Sequence, residues 1–136
     1  MITANAQAKR TILVRLSSGE DILTSLREAV QRENIKNAII LSAFGAVSTY
    51  HFHVVATSAL PPGELFPKGD KALDVVGMSG AVIDGRVHAH ILFTDDVNAM
   101  GGHLEPGCTV LTFLIVTMQE VDNVTMTDWD RFKMKA

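Results

Sequence analysis

Three histidines lie in one short stretch of the chain, at a spacing that suits metal chemistry. His88 and His90 are two positions apart, so in a β-strand they point to the same face, with Cα atoms roughly 6 to 7 Å apart. Two imidazoles at that separation can reach one metal ion. His103 follows residues 95–102, which predict a loop that could return a third nitrogen to the ion. The pattern suggests an open three-histidine site of the kind that zinc accepts with water in its fourth position.

A His-x-His pair on a strand is also typical of a half-exposed polar face, and this interpretation stays open. The alternation around the pair shows that the histidines do not belong to the apolar layer. Gly101 and Gly102 before His103 would give the predicted loop its freedom. The apolar face comprises Val87, Ala89, Ile91 and Phe93, and the opposite face comprises His88, His90 and Thr94, interrupted only by Leu92.

Other residues that could carry chemistry fit a structural role better. Cys108 opens an apolar strand, where a lone cysteine is usually a small buried hydrophobe. The glycines of residues 77–80 lack the spacing of a nucleophile elbow and predict a bulge or a close backbone approach. His51 and His53 share a strand face without a third ligand nearby in sequence, which predicts a polar sheet face or an interface.

Composition limits the class of protein. A chain of 136 residues, 47% of them apolar, is long enough for one domain with a core. The net charge is −3, and Lys and Arg are scattered, so nucleic acid is disfavoured as a partner of the isolated chain. A single cysteine cannot close an intrachain disulfide, and neither a signal peptide nor an apolar run of membrane length is evident. We therefore expect a cytoplasmic protein without a membrane partner.

Periodicity predicts several β-strands and one main amphipathic helix. Residues 1–9 are polar and alanine-rich and predict a loose arm. The helix is predicted at residues 20–34, with Ser18 as a candidate N-cap and Asn34 as its stop. Strands are predicted at residues 10–16, 37–41, 48–57, 73–83, 86–94 and 108–118, with a last candidate at 123–129.

The connections and aromatic residues add three expectations. Asp84-Gly85 between two strand patterns predicts a tight hairpin, and the proline- and glycine-containing residues 58–71 predict a long surface loop. Trp129, Phe132 and Met134 predict either closure of a core edge or a subunit contact. Tyr50, Phe52 and Phe66, predicted at the surface of an apolar chain, favour self-association.

Several segments together resemble the plant and prokaryote conserved (PPC) domain, over about residues 11–120. They are Ser-Ser-Gly-Glu-Asp-Ile-Leu at 17–23, Ile-Ile-Leu-Ser-Ala-Phe-Gly-Ala-Val at 39–47, Ser-Gly at 79–80, Val-His-Ala-His-Ile at 87–91, Gly-Gly-His-Leu at 101–104 and Gly-Cys-Thr-Val at 107–110. The Gly-Gly-His-Leu element paired with His-x-His is the specific part. The resemblance implies that residues 10–136 form a single domain with an α/β fold of the α+β type, built on an antiparallel-rich mixed β-sheet and one main amphipathic helix. It also implies that the domain assembles as a homotrimer and that His88, His90 and His103 form a metal or ligand site.

The resemblance leaves more than one function open. The leading hypothesis is a protein that binds a divalent metal, zinc, through the three histidines, together with a small anionic or carbonyl ligand. The triad also resembles the zinc triad of acetolactate decarboxylase, which supports a metal-dependent lyase or hydrolase in which Glu105, the nearest carboxylate, serves as acid or base. Plant members carry an Arg-Gly-Arg-Pro AT-hook beside the domain, and relatives are commonly described as DNA-binding. This sequence contains no such hook.

Overall fold

A single antiparallel sheet carries most of the chain in the computed structural model, which describes residues 1–133. Its strands follow the order β1-β7-β2-β4-β5-β6, with β3 beside β2, and β6 pairs a second time with β2. Every strand pairing among residues 1–133 is antiparallel, so the sheet is more uniform than the mixed one predicted. The elements are β1 Gln7–Ser17, α1 Ile22–Arg32, β2 Ala38–Val55, β3 Glu64–Leu65, β4 Lys68–Ile83, β5 Arg86–Thr94, β6 Ala99–Leu104 and β7 Val110–Asp122.

The helix α1 is held at its start by one carboxylate. Asp21 Oδ1 accepts the N–H of Thr24 at 3.0 Å, and Asp21 Oδ2 accepts the N–H of Gly107 at 2.7 Å. Asp21 therefore caps the helix, and the expectation for Ser18 is wrong, because Asp21 serves both the helix and the turn after β6. Asn34 follows the end of the helix with φ of 53°. The buried face of α1 comprises Ile22, Leu23, Leu26, Ala29 and Val30.

The sheet has two distinct faces. The inward face, which packs against α1, supplies buried side chains from every long strand to one core. Within residues 1–133, the segment after β7 covers part of the opposite, outward face, where Met126 and Asp130 lie beside His88. The rest of that face leaves large apolar side chains in solvent. They are Leu13 at 69% exposed, Phe44 at 53%, Val76 at 52% and Leu92 at 44%.

Several element boundaries differ from the sequence expectations. The strand β1 begins at Gln7, because Gln7 and Ala8 of the predicted arm pair with β7. The strand β2 is continuous where two strands were predicted, since residues 38–47 are paired with β4 on one edge and β7 on the other. Residues 123–129 form turns rather than a last strand. Phe52 is buried at 4% exposed and belongs to the core, unlike Phe66, which is half exposed.

The hairpin between β4 and β5 is confirmed. Asp84 and Gly85 have φ of 49° and 79°, the left-handed values that a tight two-residue turn requires. The loop predicted at residues 58–71 is shorter, because it contains β3 and ends where β4 begins at Lys68. No helix within residues 1–133 has the length and apolar character needed to cross a membrane.

Candidate metal centre

Four histidines lie beside one another on the outward face because three strands are in register there. His90 of β5 pairs with His103 of β6, and His103 pairs with His53 of β2. His88 lies two residues before His90 and therefore shares its face. The ring centroids of His88 and His103 are 4.6 Å apart, those of His90 and His103 are 5.6 Å apart, and those of His88 and His90 are 5.5 Å apart. The fold thus places the rings of the three predicted histidines side by side, although their donor atoms do not all lie within 4.8 Å of one another.

His103 is placed by a strand and not by a flexible loop. It lies within β6, and only residues 95–98 connect β5 to β6. The two glycines before it allow the neighbouring strands to approach closely. A Cβ at Gly101 would overlap the carbonyl oxygen of Ile91, and one at Gly102 would overlap that of His53. The expectation of a flexible return is wrong because backbone pairing fixes the His103 ring in register with His90.

His53 and Glu105 complete a group that sequence reasoning did not assemble. The His53 and His103 rings stack with centroids 4.2 Å apart. Glu105 Oε1 lies 2.5 Å from His53 Nδ1 and 3.4 Å from His103 Nδ1. Donor atoms of His53, His103 and Glu105 all lie within 4.8 Å of one another. The same-face pair His51 and His53 was a signal, but the pairing of β2 with β6 could not be predicted from it.

His51 itself lies outside this group. Its Nδ1 donates to the carbonyl oxygen of Pro106 at 2.7 Å. Cys108, below it, is fully buried, and burial raises the pKa of its thiol to about 11. The expectation that Cys108 is a small buried hydrophobe is confirmed, since a thiol with that pKa carries almost no thiolate at neutral pH.

A carboxylate from the segment after β7 fixes the orientation of His88. His88 Nδ1 donates to Asp130 Oδ2 at 2.9 Å, and Arg86 donates to both Asp130 oxygens, at 2.9 and 3.0 Å. The hydrogen bonds from Arg86 and His88 hold the pKa of Asp130 well below its usual range. An ionised Asp130 accepts the Nδ1 proton of His88, which leaves Nε2 as the ring nitrogen that can bind a metal ion.

The surroundings of His90 and His103 favour the neutral form of these two imidazoles. Burial, followed by the neighbouring histidines, lowers the pKa of both His90 and His103. His103 Nδ1 is buried and makes no hydrogen bond, although Glu105 lies nearby. Neutral imidazole is the form that binds metals, so desolvation and the neighbouring histidines prepare His90 and His103 for a cation.

The remaining sequence expectations have mixed outcomes. The close approach at residues 77–80 is confirmed, because Gly80 has φ of 148° and a Cβ there would overlap the carbonyl oxygen of His88. Trp129 is half exposed and lines an apolar cavity with Met126 beside His88. Phe132 is exposed, and Met134 lies outside the described residues.

Comparison with known sequences identifies a family. A family model described as the Plants and Prokaryotes Conserved (PCC) domain matches residues 3–122. The bifunctional protein GlmU of Synechococcus sp. (strain JA-3-3Ab) is 28% identical over 104 residues, which cover 76% of this chain and 16% of that protein. The chain therefore spans about one sixth of the length of the curated relatives that it matches.

Solved structures share the fold at low identity. A metal-containing protein from Archaeoglobus fulgidus superposes with a TM-score of 0.77 at 21% identity, over 90% of this chain and 86% of that one. A plant- and prokaryote-conserved protein from Pyrococcus horikoshii gives a TM-score of 0.74 at 23% identity, over 92% and 87%. A Staphylococcus aureus protein described as similar to alpha-acetolactate decarboxylase gives 0.56 at 15% identity, over 95% and 62%. A Ralstonia eutropha protein named as a proposed DNA-binding protein gives 0.67 at 24% identity, over 82% and 77%.

The Asp130 contact predicts the tautomer of His88. In ¹⁵N-detected NMR of the full chain, we expect the proton of neutral His88 on Nδ1, and we expect Asp130→Ala to shift it toward Nε2, because the acceptor is lost. Asp128→Ala is the control, since Asp128 pairs with Arg131 and Lys133 instead. An Nε2-protonated His88 in the wild-type chain would contradict the assignment.

Proposed function

We propose that this chain, which belongs to the Plants and Prokaryotes Conserved domain family, binds one divalent metal ion, zinc, through His88, His90 and His103. The observation that supports this most is the hydrogen bond from His88 to a carboxylate. His88 Nδ1 donates to Asp130 at 2.9 Å, whereas the buried His103 Nδ1 lies 3.4 Å from Glu105 without a hydrogen bond. Metal-binding histidines commonly direct their second ring nitrogen to a carboxylate in this way, which leaves Nε2 for the ion.

A second ligand set competes for His103. His53, His103 and Glu105 have donor atoms close together, but His53 Nδ1 and Glu105 already satisfy one another at 2.5 Å. A metal ion there would have to replace that hydrogen bond. In the proposed set, the Nε2 atoms of His88 and His90 have no hydrogen-bond partner among residues 1–133. We therefore assign His53 and Glu105 to the support of His103 rather than to the ion.

The chemistry of the ligands supports zinc and a second, exchangeable ligand. Three neutral imidazoles suit Zn²⁺ and leave a coordination position for water or for a small anionic or carbonyl ligand. A bound zinc ion supplies Lewis acidity or an activated water. Glu105 borders the centre, and the likeness in fold to a protein similar to alpha-acetolactate decarboxylase supports a metal-dependent lyase or hydrolase as the second candidate.

Replacing single histidines tests the ligand set. We expect His90→Ala to lower zinc affinity by about ten- to hundred-fold or more, because an open site loses one of three protein ligands. His53→Ala should change zinc affinity much less, and His51→Ala not at all. Zinc content and affinity are measured on full-length protein purified without an affinity tag. Zinc lost in His53→Ala but kept in His90→Ala would assign the ion to the competing set.

We further propose that the chain assembles as a homotrimer through the outward face of the sheet. That face exposes Leu13, Phe44, Val76 and Leu92. Phe44 packs edge-on against Phe113 at 6.1 Å, which extends the apolar surface across β2 and β7. Exposed apolar patches of this kind are typical of subunit interfaces, and closed cyclic symmetry would bury three copies at once. The histidines share this face, so the interface would border the metal centre.

The mass of the particle in solution tests the trimer. Light scattering at micromolar concentration should give three times 14.7 kDa. Val76→Asp should dissociate the particle, because burying an unpaired carboxylate in an apolar interface is unfavourable. Val97→Asp is the control, since Val97 is 80% exposed in the β5–β6 loop and lies off the outward face. A wild-type monomer would rule the proposal out.

We expect no binding of duplex DNA by this chain alone, although fold relatives carry a proposed DNA-binding name. The net charge is −3, and Lys71 and Arg86 are already paired with Asp95 and Asp130. Little counterion release is then available to drive association. The measurement is a mobility shift at physiological salt with micromolar protein, on A·T-rich and mixed duplexes. A shift that persists there and weakens steeply as salt rises would restore the DNA-binding hypothesis.

A cytoplasmic location is part of the proposal. Cys108 is the single cysteine of the sequence, and it is buried as a free thiol. Such a thiol suits a reducing compartment.

A further inference from the structure

A cavity of about 420 Å³ opens beside the proposed metal centre, at the free edge of β5. The strand β6 pairs with β5 only from His90 onward, so within residues 1–133 the segment 86–89 has β4 as its one strand neighbour. The helix α1 lies along this gap. The lining residues are Arg27, Gln31, Gly85, Arg86, Val87, His88 and His103.

The lining is basic, in a chain that is acidic as a whole. It contains two arginines and two histidines and no carboxylate. Arg86 is already paired with a carboxylate, since its guanidinium donates two hydrogen bonds to Asp130. Arg27 makes no ion pair within residues 1–133. The guanidinium of Arg27, on α1, is therefore the one in the cavity lining without an ion pair among residues 1–133. It lies opposite the histidines that the proposal above assigns to the metal ion.

Two α1 side chains can act on one ligand here. Arg27 and Gln31 are four residues apart and so lie on the same side of the helix. The guanidinium offers paired donors that match the oxygens of a carboxylate or phosphate, and the Gln31 amide offers a further neutral donor. At the other end of the cavity, His88 and His103 border the site of the proposed ion. A small ligand of this volume class can contact both ends.

We infer that this cavity binds a small oxyanion, a carboxylate or a phosphate, and that Arg27 selects for its negative charge. The inference names the ligand class of the metal site proposed above and rests on that proposal only for the contact between the ligand and the ion. The Arg27 end of the cavity is formed by the protein itself, so its preference for anions can be measured whatever the metal content.

Calorimetric titration of the full chain at measured metal content tests the inference, with malonate and inorganic phosphate as probes. Malonamide, the neutral counterpart of malonate, reports binding that does not depend on charge. We expect Arg27→Gln to weaken binding of the tighter anion by about ten- to hundred-fold, because a charge-assisted hydrogen bond is lost. Metal content should not change. Arg32→Gln, which removes the same charge from the same helix outside the cavity lining, should have at most a small effect.

The outcomes separate this inference from the proposed function. Equal losses in Arg27→Gln and Arg32→Gln, malonamide binding as tight as malonate, or no binding of either anion would each overturn it. Preference for phosphate over malonate, or the reverse, identifies which oxyanion the cavity takes. Wild-type protein without zinc affinity would contradict the metal proposal alone, since the dependence on Arg27 is read in the same titration.

Discussion

The antiparallel register of β5, β6 and β2 is the constraint on which the site depends. It aligns His90, His103 and His53 across three strands. Side chains alternate between faces at every residue, so a slip by one position would send the His103 ring into the core. Gly101 and Gly102 hold the register, because any side chain there would collide with the neighbouring backbone. The imidazoles are therefore positioned by the main chain of a packed sheet.

Charged groups outside the strands then determine what the aligned rings can do. Asp130 accepts the Nδ1 proton of His88 and so favours one tautomer of that ring, and Glu105 lies 3.4 Å from His103 Nδ1. Glu105 directly follows β6. Asp130 comes from the segment after β7, beyond the residues that the family model matches. The support of His88 thus comes from outside the matched residues, and Arg86 in turn keeps that carboxylate ionised.

The outward face combines polar and apolar functions. Its histidines lie on β5 and β6, and the exposed Leu92 lies on β5 next to them, two positions from His90. Burial of the apolar part of such a face in an interface is favourable. Neutral imidazoles beside it can be partly buried at little cost. The proposed assembly through this face would shield the candidate metal centre from bulk water without blocking the free edge of β5, where the basic cavity opens.

Local patterns in the sequence determined the elements that carry the site. The alternation in residues 86–94 and the Asp84-Gly85 turn define the β4–β5 hairpin and the face of His88 and His90, since both depend only on neighbouring residues. Only the tertiary structure decided that His103 lies on a strand, that His53 and Glu105 join it, and that Asp130 returns to His88. These contacts join residues about 40 to 50 positions apart. Such pairings depend on how distant strands and segments share one core, and no local pattern records them.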